Sequence, residues 1–207
     1  MREIAILSVV VSALAMARPA GADEPFDYRV QYTHQGQFGV QGAGGFGFRF
    51  IAPYNEEYCG QVDQDNPSDP KAVCSARSPF ALDLGLSYGV ARSLELLFET
   101  RIGLERDFGA SPSDDDGPRQ LAFAPGIKIY IRDAGLTKFF SSLQFAIDVT
   151  DFAQASKTDY GVRNTNGLQF DFHRTFGVYV YFGETLAFAR WFRFEMDAGI
   201  GLQFRVP

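Results

Sequence analysis

Cysteine, histidine and tryptophan are nearly absent from this chain, at two, two and one among 207 residues. His34 and His173 are both remote in sequence from the cysteine pair, which leaves too few ligands there for a zinc site. Net positive charge is also lacking. Basic residues number 19 against 25 acidic ones, which excludes a nucleic-acid binder driven by net charge. Long apolar runs are missing as well: beyond residue 16 no stretch approaches the ~18–20 apolar residues of a membrane helix. A mean hydropathy of −0.10 suits a soluble protein. It equally suits a transmembrane β-barrel, in which only alternate residues face lipid. Phenylalanine is the counterweight to these absences, with 21 copies.

The first residues read as an export signal. Arg2 supplies a positive start, Ile4 to Met16 is apolar, and Ala20-Gly21-Ala22 is a small-residue cleavage site. Removal of residues 1–22 would leave 17 basic and 24 acidic residues. Cys59 and Cys74 fall in one stretch rich in Asp, Pro, Asn and Gly. In an exported protein such a pair is expected to form a disulfide, and closing a loop of this size stabilises by roughly 3 kcal/mol in the chain-entropy model.

Alternation with a period of two runs through most of the chain. Over 192–206, Phe192, Phe194, Met196, Ala198, Ile200, Leu202, Phe204 and Val206 share one parity, with Arg193, Glu195, Asp197, Gln203 and Arg205 on the other. A helix, repeating every 3.6 residues, would mix these sets. The same split marks 38–51, 80–90, 94–105, 121–132, 139–150, 168–173 and 176–182, which makes eight expected strands. The connections alternate in length: 52–79, 106–119 and 151–166 are long, whereas 91–93, 133–137 and 173–175 are short. The last connection, 183–191, is short where a long one is due, and Glu184 sits on the apolar parity. The sequence therefore predicts either an early end to the seventh strand near Phe182 or a bulge beyond it.

One face of every strand is nearly free of charge. The other carries Arg49, Asp83, Glu95, Glu99, Arg101, Glu105, Lys128, Arg132, Asp148, Asp171, Arg193, Glu195, Asp197 and Arg205. In a soluble sandwich the charged face would be wet and the apolar face would form the core. The export signal, the phenylalanine excess and the alternating loop lengths favour the inverse: an antiparallel up-and-down transmembrane β-barrel with apolar residues toward lipid. Eight strands enclose a lumen that side chains fill, so these charges are expected to pair there. Glu95 and Glu99 are expected to pair with Arg101, Arg193 or Lys128. Tyr88 and Trp191, near strand ends, suit an aromatic belt.

On this pattern, residues 36–207 resemble the small eight-stranded outer-membrane β-barrel superfamily, the group containing the transmembrane domain of outer-membrane protein A. The closing strand is similar to the assembly signal of such barrels: Gly201, Phe204 and Val206 take its Gly and its last two apolar positions, while Gly199 and Pro207 depart from it. The resemblance implies the bacterial outer membrane, contact with its lipid, and delivery by the barrel-assembly machinery. A monomer is expected, with residues 23–35 as a short N-terminal segment.

Chemistry-bearing motifs are sparse. A lipid-deacylating barrel would need a serine beside a histidine, but His173 is followed by Arg174-Thr175 and His34 precedes the first strand. Asp63, Asp65, Asn66 and Asp69 lack the glycine and terminal glutamate of a calcium loop, and Asp114-Asp115-Asp116 reads as a solvated run. Gly42, Gly44, Gly45 and Gly47 have no strand-then-helix context for a phosphate cradle. No catalytic, cofactor or metal residue is assigned, and no enzyme is expected. The sequence predicts a structural or surface-interaction role, with a narrow pore as the alternative and a lipid-modifying enzyme third.

Overall fold

The computed structural model describes residues 33–52, 54, 73–106, 119–131, 135–151 and 158–206. The expected export signal, Cys59, Arg132 and most of the long connections lie outside them. Eight strands form one closed antiparallel barrel in sequence order: β1 (Phe38–Ala52), β2 (Cys74–Ala91), β3 (Leu94–Arg106), β4 (Arg119–Tyr130), β5 (Thr137–Asp148), β6 (Asp159–His173), β7 (Phe176–Ala187) and β8 (Phe192–Val206). Closure runs from Phe38 opposite Val206 to Ala52 opposite Phe192. Pairing the last strand with the first leaves no edge with unpaired N–H and C=O groups.

Parity decides which way each side chain points. Phe46, Leu96 and Ile200 look outward and are 59%, 52% and 59% exposed, while Arg49, Glu95 and Gln203 look inward and are 0% exposed. The barrel is thus apolar outside and charged inside. A soluble sandwich requires the opposite, and the closed sheet excludes it.

Three strands are longer by several residues than the sequence predicts, and each extension has a local cause. β2 begins at Cys74 instead of residue 80, because the register shifts between Gly45 and Gly47 of β1, opposite Ser78 and Ala81. The shift reverses parity and places Pro79 where the ladder is interrupted, so alternation is lost from the sequence although pairing continues. β6 begins at Asp159, well before residue 168, and β7 continues to Ala187. Their added segments pair with each other at Asn164 opposite Glu184 and Asn166 opposite Phe182. Both expectations for β7 are corrected: no register shift is found there, and Glu184 simply faces outward. β4 and β5 also begin and end two residues earlier than expected.

Trp191 departs from the aromatic belt. It precedes the outward Phe192 by one position, so it turns inward, where it is buried with the Arg190 guanidinium over its ring. Tyr88 does face outward.

At the end of the barrel with short connections, residues 33–37 cross the mouth. Gly36 takes φ +75° and donates its N–H to the Gly89 carbonyl at 2.8 Å, while the Gly89 N–H donates to the Gln37 carbonyl at 3.0 Å. A Cβ on Gly89 would lie 1.9 Å from the His34 carbonyl oxygen, so only glycine admits this crossing. The turn delivers His34, 1% exposed, into the lumen.

Candidate functional site

Among the described residues, charged and polar side chains converge most densely in the lumen, where they fall into three zones. At the short-connection mouth, His34 Nδ1 lies 2.7 Å from Glu95 Oε1 and Nε2 lies 2.9 Å from Asp171 Oδ2. Lys138 Nζ reaches the same Asp171 oxygen at 2.7 Å, and Arg205 reaches Glu95 at 2.7 Å. The Tyr130 hydroxyl donates to Gln169 at 2.9 Å, and Gln169 donates to Asp171 at 2.7 Å. Strands β3, β4, β5, β6 and β8 each place one or more of these groups, so the cluster ties most of the barrel circumference together.

The middle zone is largely aromatic. Lys128 Nζ stands 4.3 Å from the Phe140 ring centroid and 5.0 Å from that of Tyr179. Such placement partly replaces the hydration that a buried ammonium loses. Beside it, Gln41 donates to Glu99 at 2.6 Å, and Gln144 donates to the other carboxylate oxygen.

Toward the long-connection end lies a chain of arginines and carboxylates. Arg101 grips Asp83 with two hydrogen bonds of 2.7 and 2.9 Å and also reaches Asp197 at 2.6 Å and Glu195 at 3.3 Å. Arg163 forks onto the two oxygens of Asp197 at 2.7 and 2.8 Å. Arg49 reaches Glu195 at 3.0 Å, and Arg193 pairs with Asp148. Planar guanidinium forks satisfy several carboxylate oxygens at once, which is what dense charge in a narrow lumen requires.

Of the charges the sequence assigns to the lumen, Arg49, Asp83, Glu95, Glu99, Arg101, Lys128, Asp148, Asp171, Arg193, Glu195, Asp197 and Arg205 point inward. Glu105 is corrected. It lies on the outer rim, accepting from Arg77 at 2.6 Å and from the Phe80 N–H at 3.0 Å, because the β3–β4 register breaks between Ile102 and Arg106. The expected partners of two carboxylates also change: Glu95 pairs with Arg205 and His34, and Glu99 is held by glutamine amides. Arg163, Lys138, Asp159 and His34 were missed. Lys138 lies just before residue 139, where the sequence predicts its strand to begin, whereas β5 starts at Thr137, and Arg163 and Asp159 lie in the segment of β6 whose alternation is broken.

Neither histidine stands in a serine–histidine pair among the described residues. His173 bonds Thr175 at 2.7 Å in the exposed turn, and His34 contacts carboxylates and Lys138. No group of His, Cys, Asp and Glu suited to a metal ion is present among the described residues. Cys74 opens β2 and is fully buried, and its expected partner Cys59 lies outside the described residues.

Among the described residues, Glu99 lines two small cavities in the lumen packing. Ser142 and Thr165 line the first, and their hydroxyls have no hydrogen-bond partner among the described residues.

No family model matches the chain, and no curated protein matches it. Solved structures are similar to it at low sequence identity. Ail, the attachment invasion locus protein of Yersinia pestis, is 13% identical with a TM-score of 0.47, over 83% of this chain and 99% of that one. Neisserial surface protein A is 11% identical with a TM-score of 0.49, over 82% and 99%. The N-terminal β-barrel domain of Pseudomonas aeruginosa OprF is 11% identical with a TM-score of 0.51, over 83% of this chain and 98% of that domain. In fold, the chain is therefore similar to the small eight-stranded barrels of bacterial outer membranes.

Proposed function

We propose that the chain is an integral protein of the bacterial outer membrane, exported by a signal at residues 1–22, with its long connections outside the cell and its short ones in the periplasm. Its role is structural and interactive: a rigid anchor that displays the long connections and does not conduct solutes. The observation that carries this is the pairing of an apolar exterior with a lumen packed by ion pairs at both ends. An aqueous pore would need a continuous polar path, and the Tyr130, Phe140 and Tyr179 rings around Lys128 interrupt it. The test is refolding into phospholipid vesicles. The folded protein is expected to migrate differently before and after boiling and to leave the vesicles impermeable to small solutes. Failure to insert would overturn the membrane assignment.

A narrow pore is the second reading, and the polar cavities beside Glu99 favour it, since walls with unsatisfied hydroxyls hold water. Planar-bilayer recording separates the two. Steady unitary conductance in the wild type, lost on bulky substitution at Gly126, would establish the pore.

The first long connection is proposed to be stapled by Cys59–Cys74. The position of Cys74 at the start of β2, where the first long connection of an exported chain enters the barrel, supports this. The oxidised, denatured protein is expected to release no free thiol. The double change to serine at Cys59 and Cys74 should still give the heat-shifted band, because the strand ladder closes without them. A thiol signal from the oxidised protein would remove the disulfide.

A further inference from the structure

We propose that the outward face of β6 and β7 is a homodimer interface centred on Glu184, in which two copies pair side by side in the membrane. The inference rests on the membrane reading above and departs from the monomer that the sequence alone implies.

The observation is a polar patch where none belongs. Between the rims of the barrel, Glu184 is the only charged side chain on the outward face of the described strands. It is not alone. Asn164 is its direct neighbour on β6, Asn166 is the next outward residue on β6, and Ser141 of β5 lies opposite Asn166. These four form one contiguous patch. Phe182 and Leu186 flank it along β7, and Val162 and Leu168 flank it along β6, all at least 40% exposed. The patch therefore lies inside the apolar band.

Within one copy the patch is unfinished. Asn166 donates to the Asn164 carbonyl oxygen, and Asn164 donates to the Ser142 backbone carbonyl at 3.0 Å. Each amide has two N–H groups, so each retains one. The Glu184 carboxylate, which only accepts when ionised, meets no donor among the described residues. In hydrocarbon, unsatisfied donors and acceptors are costly, and neither lipid tails nor the barrel itself supplies partners.

A second copy supplies both. Two barrels inserted in the same sense are related by a twofold axis along the membrane normal, and such an axis exchanges left and right. Glu184 and Asn164 sit side by side on adjacent strands, roughly 4.8 Å apart. If the axis passes in front of the β6–β7 pair, Glu184 of each copy faces Asn164 of the other. The acceptor then meets the spare donor twice, and by the same exchange Leu186 of each copy packs against Val162 of the other. This is the self-complementarity a twofold interface demands. Polar contacts of this kind drive association in lipid, where apolar packing alone has no hydrophobic advantage.

The test uses the full folded chain in phospholipid vesicles, prepared as two populations with donor and acceptor dyes at the chain terminus. Energy transfer is read as the protein-to-lipid ratio falls. The wild type is expected to associate at a ratio roughly tenfold lower than Glu184→Leu or Asn164→Leu, as the loss of one strong polar contact per copy implies. Glu184→Gln, which keeps an acceptor, should retain association. Thr100→Leu, outward on β3, should leave it unchanged. Heat-shifted mobility and vesicle insertion are scored for every variant, so failure of the membrane reading appears as absent insertion. A wild type that inserts but stays monomeric, or a Glu184→Leu variant that associates as readily as the wild type, would overturn the interface.

Discussion

Replacing Arg101 by methionine is expected to lower the unfolding free energy by about 3–5 kcal/mol, the loss typical of a buried ion pair stripped of one partner. Arg101 is the hub of the zone near the long connections. Its guanidinium touches Asp83, Glu195 and Asp197, and its side chain is only 10% exposed. Methionine fills a similar space but leaves three carboxylates facing one another with Arg49 and Arg163 as the remaining cations near them. Most of the penalty is the cost of charges left buried without compensation, more than the loss of the contacts themselves. Neutralising Asp83 in the same molecule should therefore recover part of the loss, so the double change Arg101→Met with Asp83→Asn is expected to be clearly less than additive. Urea unfolding of the vesicle-inserted protein, followed by the fluorescence of the single buried Trp191, reads both quantities. An Arg101→Met protein within about 0.5 kcal/mol of the wild type would mean that water solvates the lumen charges, and the closed lumen would have to be abandoned.

Leu84→Arg is expected to cost about 2–4 kcal/mol, the penalty for a basic side chain on the lipid face near the middle of a barrel. Leu84 lies outward on β2, flanked on the neighbouring strands by Gly42 and Thr100, and about midway between the outward Phe80 and Tyr88. Its backbone pairing is unaffected by the change, and nothing inside the lumen is touched. The effect therefore isolates the solvent the outer face meets. On a water-facing surface the same substitution would fall within about 0.5 kcal/mol of neutral. The urea titration in vesicles distinguishes these outcomes. A neutral result would show that the outer face is not in contact with hydrocarbon, and it would remove the proposed location together with the dimer interface built on it.

The two substitutions probe opposite faces of one sheet, and the sequence separated those faces correctly. Alternation needs no knowledge of partners: a strand that divides two environments must sort its residues by parity, and the outward row from Phe192 to Val206 shows this directly. The number of strands, their antiparallel order and the inward aim of twelve charges were legible for that reason. The assignment became unreliable wherever parity was interrupted. The register shift at Gly45–Gly47 hid the first residues of β2, because a bulge inverts the sides without ending the strand. Asn164 and Glu184 hid the ends of β6 and β7, because polar residues on the lipid side imitate a loop.

The tertiary structure alone decided the partners. Parity says that Glu95 points inward but not that Arg205 and His34, from distant parts of the chain, converge on it, since depth in the barrel depends on the stagger accumulated over all eight strands. His34 precedes every strand and carries no periodic signal; it enters the lumen only because Gly36 turns the chain and Gly89 leaves room for the crossing. The polar patch follows the same division. The sequence contains Glu184 and Asn164 as two unrelated breaks in alternation, and only the β6–β7 register makes them neighbours. Which side a residue faces is a local property of the extended chain, whereas what it meets there is set by closure of the barrel.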